Sequence, residues 1–380
     1  MTSIRLRVPH GLRLFLLVCA LVCAPALHAQ TLVKDIRPGT FSSNSQLFTD
    51  LNGTTLFRSE DGTNGSELWK TDGTEAGTVL VKDIFPGSSS SSPLSFEVIG
   101  SELLFSANDG TSGVELWKTD GTEAGTVLVK DINPGAGSSN PGNLTNVGGT
   151  IFFSATDASG VELWKTDGTE AGTVLVKDIN PGGGASSPVT LTNVDGTLFF
   201  SATDGTNGSE LWRSDGTEAG TVLVKDINPG SIGSNPGALL GANGLLFFRA
   251  SDGTSGTELW KSDGTEAGTV LVKDISPGAS ASSASPLAAV NGIVFLRAND
   301  GTTGLELWKA DGPEAGTVLV KDVRSGPSSS IAPFGAGAGS RVAGNLFYFV
   351  PNDGVHGQEL WKSDGTEAGT VLVKDINPGT

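Results

Sequence analysis

Cysteine is nearly missing: the 380 residues contain two, Cys19 and Cys23, and both lie within the first 29. Beyond that point neither a disulfide nor a thiolate metal site can form, so the fold must hold by packing alone. Histidine and tyrosine are almost as scarce, with His356 and Tyr348 the single examples after residue 29. That inventory sets aside histidine-based acid/base triads and multi-histidine metal centres. Basic residues are also in deficit, with 24 Lys and Arg against 41 Asp and Glu, a net charge of -17. Such a balance repels nucleic acid and anionic lipid, and it favours cations, basic partners or simple solubility.

Long apolar runs are confined to the start. Arg5, Arg7 and Arg13 precede an apolar stretch at 14–24, and small residues follow at Ala26 and Ala29. This is the order of a secretory signal peptide over residues 1–29, too short to cross a bilayer as a helix. Val18 and Val22 precede the two cysteines where a lipoprotein signal would want a small residue. The expectation is a protein secreted to the envelope or outside the cell, without a membrane span. Losing the leader's three arginines takes the net charge to -20.

What is abundant is repetition. All seven Trp, at 69, 117, 164, 212, 260, 308 and 361, sit in the string Glu-Leu-Trp at spacings of 48, 47, 48, 48, 48 and 53. Around each, the chain reads like residues 115–132, ELWKTDGTEAGTVLVKDI, followed by a variable stretch rich in Pro, Gly and Ser. Self-similarity at this period marks a repeat architecture. Residues 30–380 read as one repeat domain with units at 31–77, 78–125, 126–172, 173–220, 221–268, 269–316 and 317–369, and a surplus strand at 370–380.

Within a unit the hydrophobic period is two. In 126–172 the strand-like runs are 127–132, 144–147, 151–155 and 161–165, separated by turn residues. Pairs such as Gly148-Gly149, Asp195-Gly196, Asn243-Gly244 and Asn291-Gly292 tolerate positive φ at both central positions and predict tight primed hairpins. A four-stranded meander cannot cover both its faces alone. Copies at about 48 residues solve this by packing radially, which predicts an all-β fold: a seven-bladed β-propeller of four-stranded antiparallel blades, with an open β-solenoid of the same units as the alternative. The strand Leu-Val-Lys-Asp-Ile is present eight times, from 32–36 to 372–376, with Val323 in place of Ile in one copy, whereas the other three strands are present seven times. One terminal copy is therefore surplus to a closed ring, and either could complete the last blade.

The signature Glu115-Leu116-Trp117-Lys118-Thr119-Asp120-Gly121-Thr122, with matching copies starting at Glu67, Glu162, Glu210, Glu258 and Glu359, resembles the ELWxxDGT repeat family of bacterial secreted proteins. One copy departs, with Pro313 in place of the final Thr. The resemblance covers the chain after residue 29. It implies an extracellular or envelope-associated, β-propeller-like protein and supplies no catalytic residues.

Candidate sites come from what every repeat shares. Asp109, Asp157, Asp204, Asp252, Asp300 and Asp353 hold equivalent places in one turn, next to Gly or small residues. Turn chemistry explains them, and a calcium site is the sharper alternative, although no run has dense D-x-D-x-D spacing. Trp69, Trp117, Trp164, Trp212, Trp260, Trp308 and Trp361 suit packing between blades; exposed beside Asp and Gly they would instead stack on sugars, one weak site per blade. The Lys-Asp pair in the Leu-Val-Lys-Asp-Ile strand suits either a channel lining or an outer edge. The functional expectation is a secreted, non-enzymatic interaction or adhesion scaffold with protein or glycan partners and no required cofactor. Its alternatives are a multivalent lectin with optional Ca²⁺ and a carboxylate-dependent carbohydrate-active enzyme drawing on the irregular seventh unit.

Overall fold

The computed structural model describes residues 32–331 and 340–378; the leader expected over 1–29 lies outside them. The described chain folds into seven four-stranded antiparallel sheets, each with its strands in sequence order, which is the expected seven-bladed propeller arrangement. In the second sheet the strands are Leu94–Ile99, Glu102–Asn108, Val114–Thr119 and Val127–Lys130. The other sheets span 46–82, 142–177, 189–225, 237–273, 285–321 and 341–374. Among the described residues the one helical turn is a 3-10 turn at Glu314–Gly316, where Pro313 breaks the repeat. No helix there is long and apolar enough to cross a membrane.

The hairpins follow the sequence. Asn243 and Gly244 have φ of 54° and 74°, and Asp195 and Gly196 have 49° and 88°, the paired left-handed conformations of a primed turn.

The phase of the sheets differs from the phase of the expected units. The Val-Leu-Val-Lys strand is the fourth strand of the preceding sheet, with Trp117 opposite Leu128 and Trp164 opposite Leu175. The reason is local: Thr-Asp-Gly-Thr is a tight turn that folds the chain back onto the Glu-Leu-Trp strand, while the longer Pro-Gly-Ser segment crosses to the next sheet. The C-terminal copy, Val371–Lys374, accordingly completes the seventh sheet. The N-terminal copy belongs to no sheet.

Side chains alternate across each strand, so every sheet has two apolar faces. Leu104, Leu116, Val129 and Ile132 of sheet 2 interlock with Ile151, Phe153, Ala155 and Trp164 of sheet 3. Equivalent clusters fill the other five junctions between successive sheets. Among the described residues none joins sheet 7 to sheet 1. First strands of successive sheets run side by side on the inside, which leaves the Val-Leu-Val-Lys strands on the outside. The Lys-Asp pair is thus an outer-edge feature, and its lysine also ties sheets together: Lys130 Nζ donates to Thr173 O at 2.9 Å.

Candidate functional site

The inner strands carry the irregular geometry. In sheets 1 to 5 the register slips once along the first strand, and there a non-glycine residue is left-handed: Leu47, Ser95, Asn143, Thr190 and Ala238, with φ between 51° and 59°. Such bulges leave ladder groups unpaired and re-aim side chains, and for β-branched Thr190 this conformation is strained. The same left-handed place recurs in five successive sheets and forms a ring of irregular backbone along the inner strands. Polar side chains bridge adjacent inner strands there. Asn146 Nδ2 donates to Val98 O at 3.0 Å, and Asn193 Nδ2 donates to Asn146 O at 3.1 Å. Asn143, Thr190 and Asn193 remain exposed. On the same surface burial pushes the Glu97 carboxyl up from its ordinary value.

Small clefts open between neighbouring sheets. One of about 200 Å³ lies among Leu51, Thr54, Lys70, Asp120 and Gly121; its counterpart lies among Val147, Lys165, Asp215 and Gly216. Each is held by a lysine donating to the next sheet, Lys70 Nζ to Gly121 O at 2.8 Å and Lys165 Nζ to Gly216 O at 2.9 Å. Their size is below that of usual small-molecule pockets.

The seven tryptophans lie between the sheets. Trp69, Trp117, Trp164, Trp212, Trp260, Trp308 and Trp361 are 6 to 8% exposed. In sheets 2 to 7 each joins the apolar cluster shared with the preceding sheet. Lys82, Lys273 and Lys321 of the preceding sheets lie over Trp117, Trp308 and Trp361, 5.8 to 6.0 Å from the ring centroid. A ring covered in this way has no face to offer a sugar, so the sugar-stacking alternative is corrected by burial.

The candidate calcium acids are spread one to a sheet and committed to their own turns. Asp109 Oδ1 accepts from Thr111 N at 2.8 Å and Ser112 N at 2.7 Å, and Asp204, Asp252 and Asp300 repeat the pattern. Asp157 accepts from Ser159 N. Partial burial alone would raise these carboxyls, but the turn hydrogen bonds hold Asp109, Asp204, Asp252 and Asp300 below their ordinary value. Asp353 pairs with His356 at 2.6 Å, and that hydrogen bond lifts the exposed imidazole above its ordinary value. Among the described residues no three acids, cysteines or histidines come together as a metal site.

One group went unread in the sequence. The Glu of each Glu-Leu-Trp is buried: Glu67, Glu115, Glu162, Glu210, Glu258 and Glu306 fully, and Glu359 nearly so. Glu115 accepts from Ile132 N at 2.9 Å and from Ser139 N at 2.8 Å, and the Ser139 hydroxyl donates to it as well. It thereby pins the chain just past the fourth strand and the linker that leads to the next sheet. Burial raises the carboxyl against these three donors, to about 7 in Glu67 and Glu306. The available signal was a charged residue one place before a Leu-Trp pair in every copy.

No protein-family model and no curated sequence matches the chain. Solved structures of similar fold do exist. Oligopeptidase B from Leishmania major superposes with a TM-score of 0.51 at 11% identity, over 88% of this chain and 48% of that one. A study of two prolyl endopeptidases gives 0.49 at 13% identity, over 86% and 49%, and a puromycin hydrolase gives 0.46 at 14%, over 92% and 56%. The chain spans about half the length of the solved chains it matches. The likeness to oligopeptidase B stands against the expectation of a non-enzymatic adhesion scaffold, since a solved chain that contains this fold is a peptidase.

Proposed function

We propose that this chain is a peptidase-related propeller, a module that receives peptide chains and works beside a hydrolase domain that supplies the chemistry. The observation that carries this is the likeness to oligopeptidase B, which takes in most of this chain but only about half of that enzyme. Two features of the chain support it. The bulged inner strands present polar side chains and unladdered backbone, the groups an extended peptide needs for recognition. The excess of acid, 41 Asp and Glu against 24 Lys and Arg, favours basic peptides through the summed field. Export by the leader at 1–29 and membership of the ELWxxDGT repeat family belong to the same reading.

Fluorescence anisotropy with labelled basic and acidic peptides tests it. A basic peptide binds, salt weakens the binding, and exchanging Asn143, Thr190 and Asn193 for alanine together reduces it. Peptide turnover needs an added hydrolase domain. Failure of peptides of both signs to bind overturns the reading.

A further inference from the structure

Seven lysines tie each Leu-Val-Lys segment to the sheet that follows it: Lys34, Lys82, Lys130, Lys177, Lys225, Lys273 and Lys321 donate to Thr78, Thr126, Thr173, Thr221, Thr269, Thr317 and Thr370 carbonyls at 2.8 to 2.9 Å. The eighth, Lys374, is exposed and meets no such carbonyl among the described residues. It marks a free face. At the junction of sheets 6 and 7, Phe295, Leu307, Val320 and Val323 are buried. Their equivalents in sheet 7 by register are Tyr348, Leu360, Val373 and Ile376. Val373 is 45% exposed and Ile376 68%, where Val129 and Ile132 of sheet 2 are 6% and 5%. The mismatch is positional, because the segment Val-Leu-Val-Lys-Asp-Ile is the same in both places.

The matching counter-face is at the other end of the chain. Phe57 and Trp69 of sheet 1 are the equivalents of Phe105 and Trp117, which sheet 2 presses against sheet 1. In place of a whole sheet, a short segment is tied there through Lys34 Nζ and Thr78 O. Phe48, stacked on Phe57 at 5.3 Å between centroids, is left 62% exposed. The segment 32–36 and the segment 372–376 are both Leu-Val-Lys-Asp-Ile.

We propose that the free face of sheet 7 takes the first sheet of a second copy of this chain, head to tail, and that the second copy's segment 32–36 yields its place to the identical 372–376. Apart from Tyr348, which stands where the internal junctions have Leu or Phe, the face carries the Leu, Val and Ile of those junctions, so the contact continues an interface the molecule already uses. Because Leu-Val-Lys-Asp-Ile replaces itself, the lysine bond to Thr78 O is restored, and Val373 and Ile376 gain the cover that Val33, 45% exposed, lacks in the short segment. The added burial is that of Tyr348, Leu360 and Phe48, which drives association. Within one chain the two faces share no apolar cluster among the described residues, and the chain's own segment 32–36 is tied to sheet 1; sheet 1 of a second copy presents the matching face. The contact is heterologous, so it grows into rings or filaments.

The test uses the full chain after leader removal, in two differently tagged batches, followed by light scattering across a concentration series and by co-purification after mixing. Mass should rise with concentration and the tags should exchange. Val373→Asp with Ile376→Asp, at side chains already in water, should leave a monomer with an unchanged melting temperature. Deleting 32–36 frees the counter-face and should lower the concentration of half-association by about tenfold; Lys34→Ala, which loosens the same segment without shortening the chain, should act in the same direction. A wild type that stays monomeric throughout, as ring closure within one chain would make it, overturns the proposal. So does association that survives the double aspartate variant.

Discussion

The Glu67 carboxylate accepts a hydrogen bond from the backbone N–H of Ser91 at 2.7 Å, across 24 residues of sequence. The same pairing recurs from Glu115 to Ser139, Glu162 to Ser186, Glu210 to Ser234, Glu258 to Ser282 and Glu306 to Ser330. An apolar fold held by packing thus carries a buried charge-bearing clasp at each crossing from one sheet to the next.

Cutting one clasp should cost far more than trimming it. Glu115→Ala leaves the Ile132 and Ser139 N–H groups buried without an acceptor and is expected to destabilise by about 2–4 kcal/mol, whereas Ser139→Ala costs about 1 kcal/mol. Urea denaturation of both variants measures the difference. Equal midpoints for Glu115→Ala and wild type would show that the clasp adds nothing to stability.

The clasps also set a pH dependence. A carboxyl raised from 4.5 to about 7 in the folded chain, as in Glu67 and Glu306, binds its proton more tightly than in the unfolded chain. Between those values the native state holds more protons, so stability is greatest at the acid end of the window and falls as pH rises through it, by on the order of 3 kcal/mol for each such group. The turn aspartates are lowered instead, and their contribution is lost only below their ordinary value of 3.8. The melting temperature should therefore fall between pH 5 and pH 7.5, and the double variant Glu67→Gln, Glu306→Gln should flatten the slope. A melting temperature that climbs across this range contradicts the assignment.

Tryptophan replacement reads out packing. Trp117→Ala removes a ring enclosed by Leu68, Val81, Ile84 and Phe105 and should cost about 3–5 kcal/mol. Trp117→Phe, which keeps part of the volume, should cost less. Emission of the wild type should be that of buried indole and should shift to the red only on unfolding; a quencher that reaches the rings in the native state would contradict their burial.

Calcium should leave the protein unmoved. Asp109 spends its carboxylate on Thr111 and Ser112, so chelator and added Ca²⁺ are expected to give superimposable melting curves. Asp109→Ala, by contrast, should lower stability by about 1 kcal/mol through loss of the turn bonds. A calcium-dependent rise in melting temperature that Asp109→Ala abolishes would reverse this conclusion.

Much was legible because the signals are local. Asn243-Gly244 reads as a hairpin because both residues accept positive φ without help from anything distant. Asp109 reads as a turn residue because its partners are two and three places away. The clasp of Glu115 was not legible, because its partner Ser139 lies 24 residues away in the linker whose composition varies most from copy to copy, one hydroxyl among several there. The inner-strand bulge at Thr190 was also invisible: nothing in Thr itself favours a left-handed backbone.

By itself the order of amino acids determined the number of sheets, their strands and their turns, since period-two patterning and Gly-containing pairs act over a few residues. Tertiary structure alone decided which sheet each Val-Leu-Val-Lys strand joins, that Glu115 turns inward and that Trp117 is covered. It also decided that Lys374 and Ile376, identical in type to Lys130 and Ile132, stand in water. The physical reason is that burial belongs to a neighbour: copies with one sequence differ in environment according to whether another sheet lies against them.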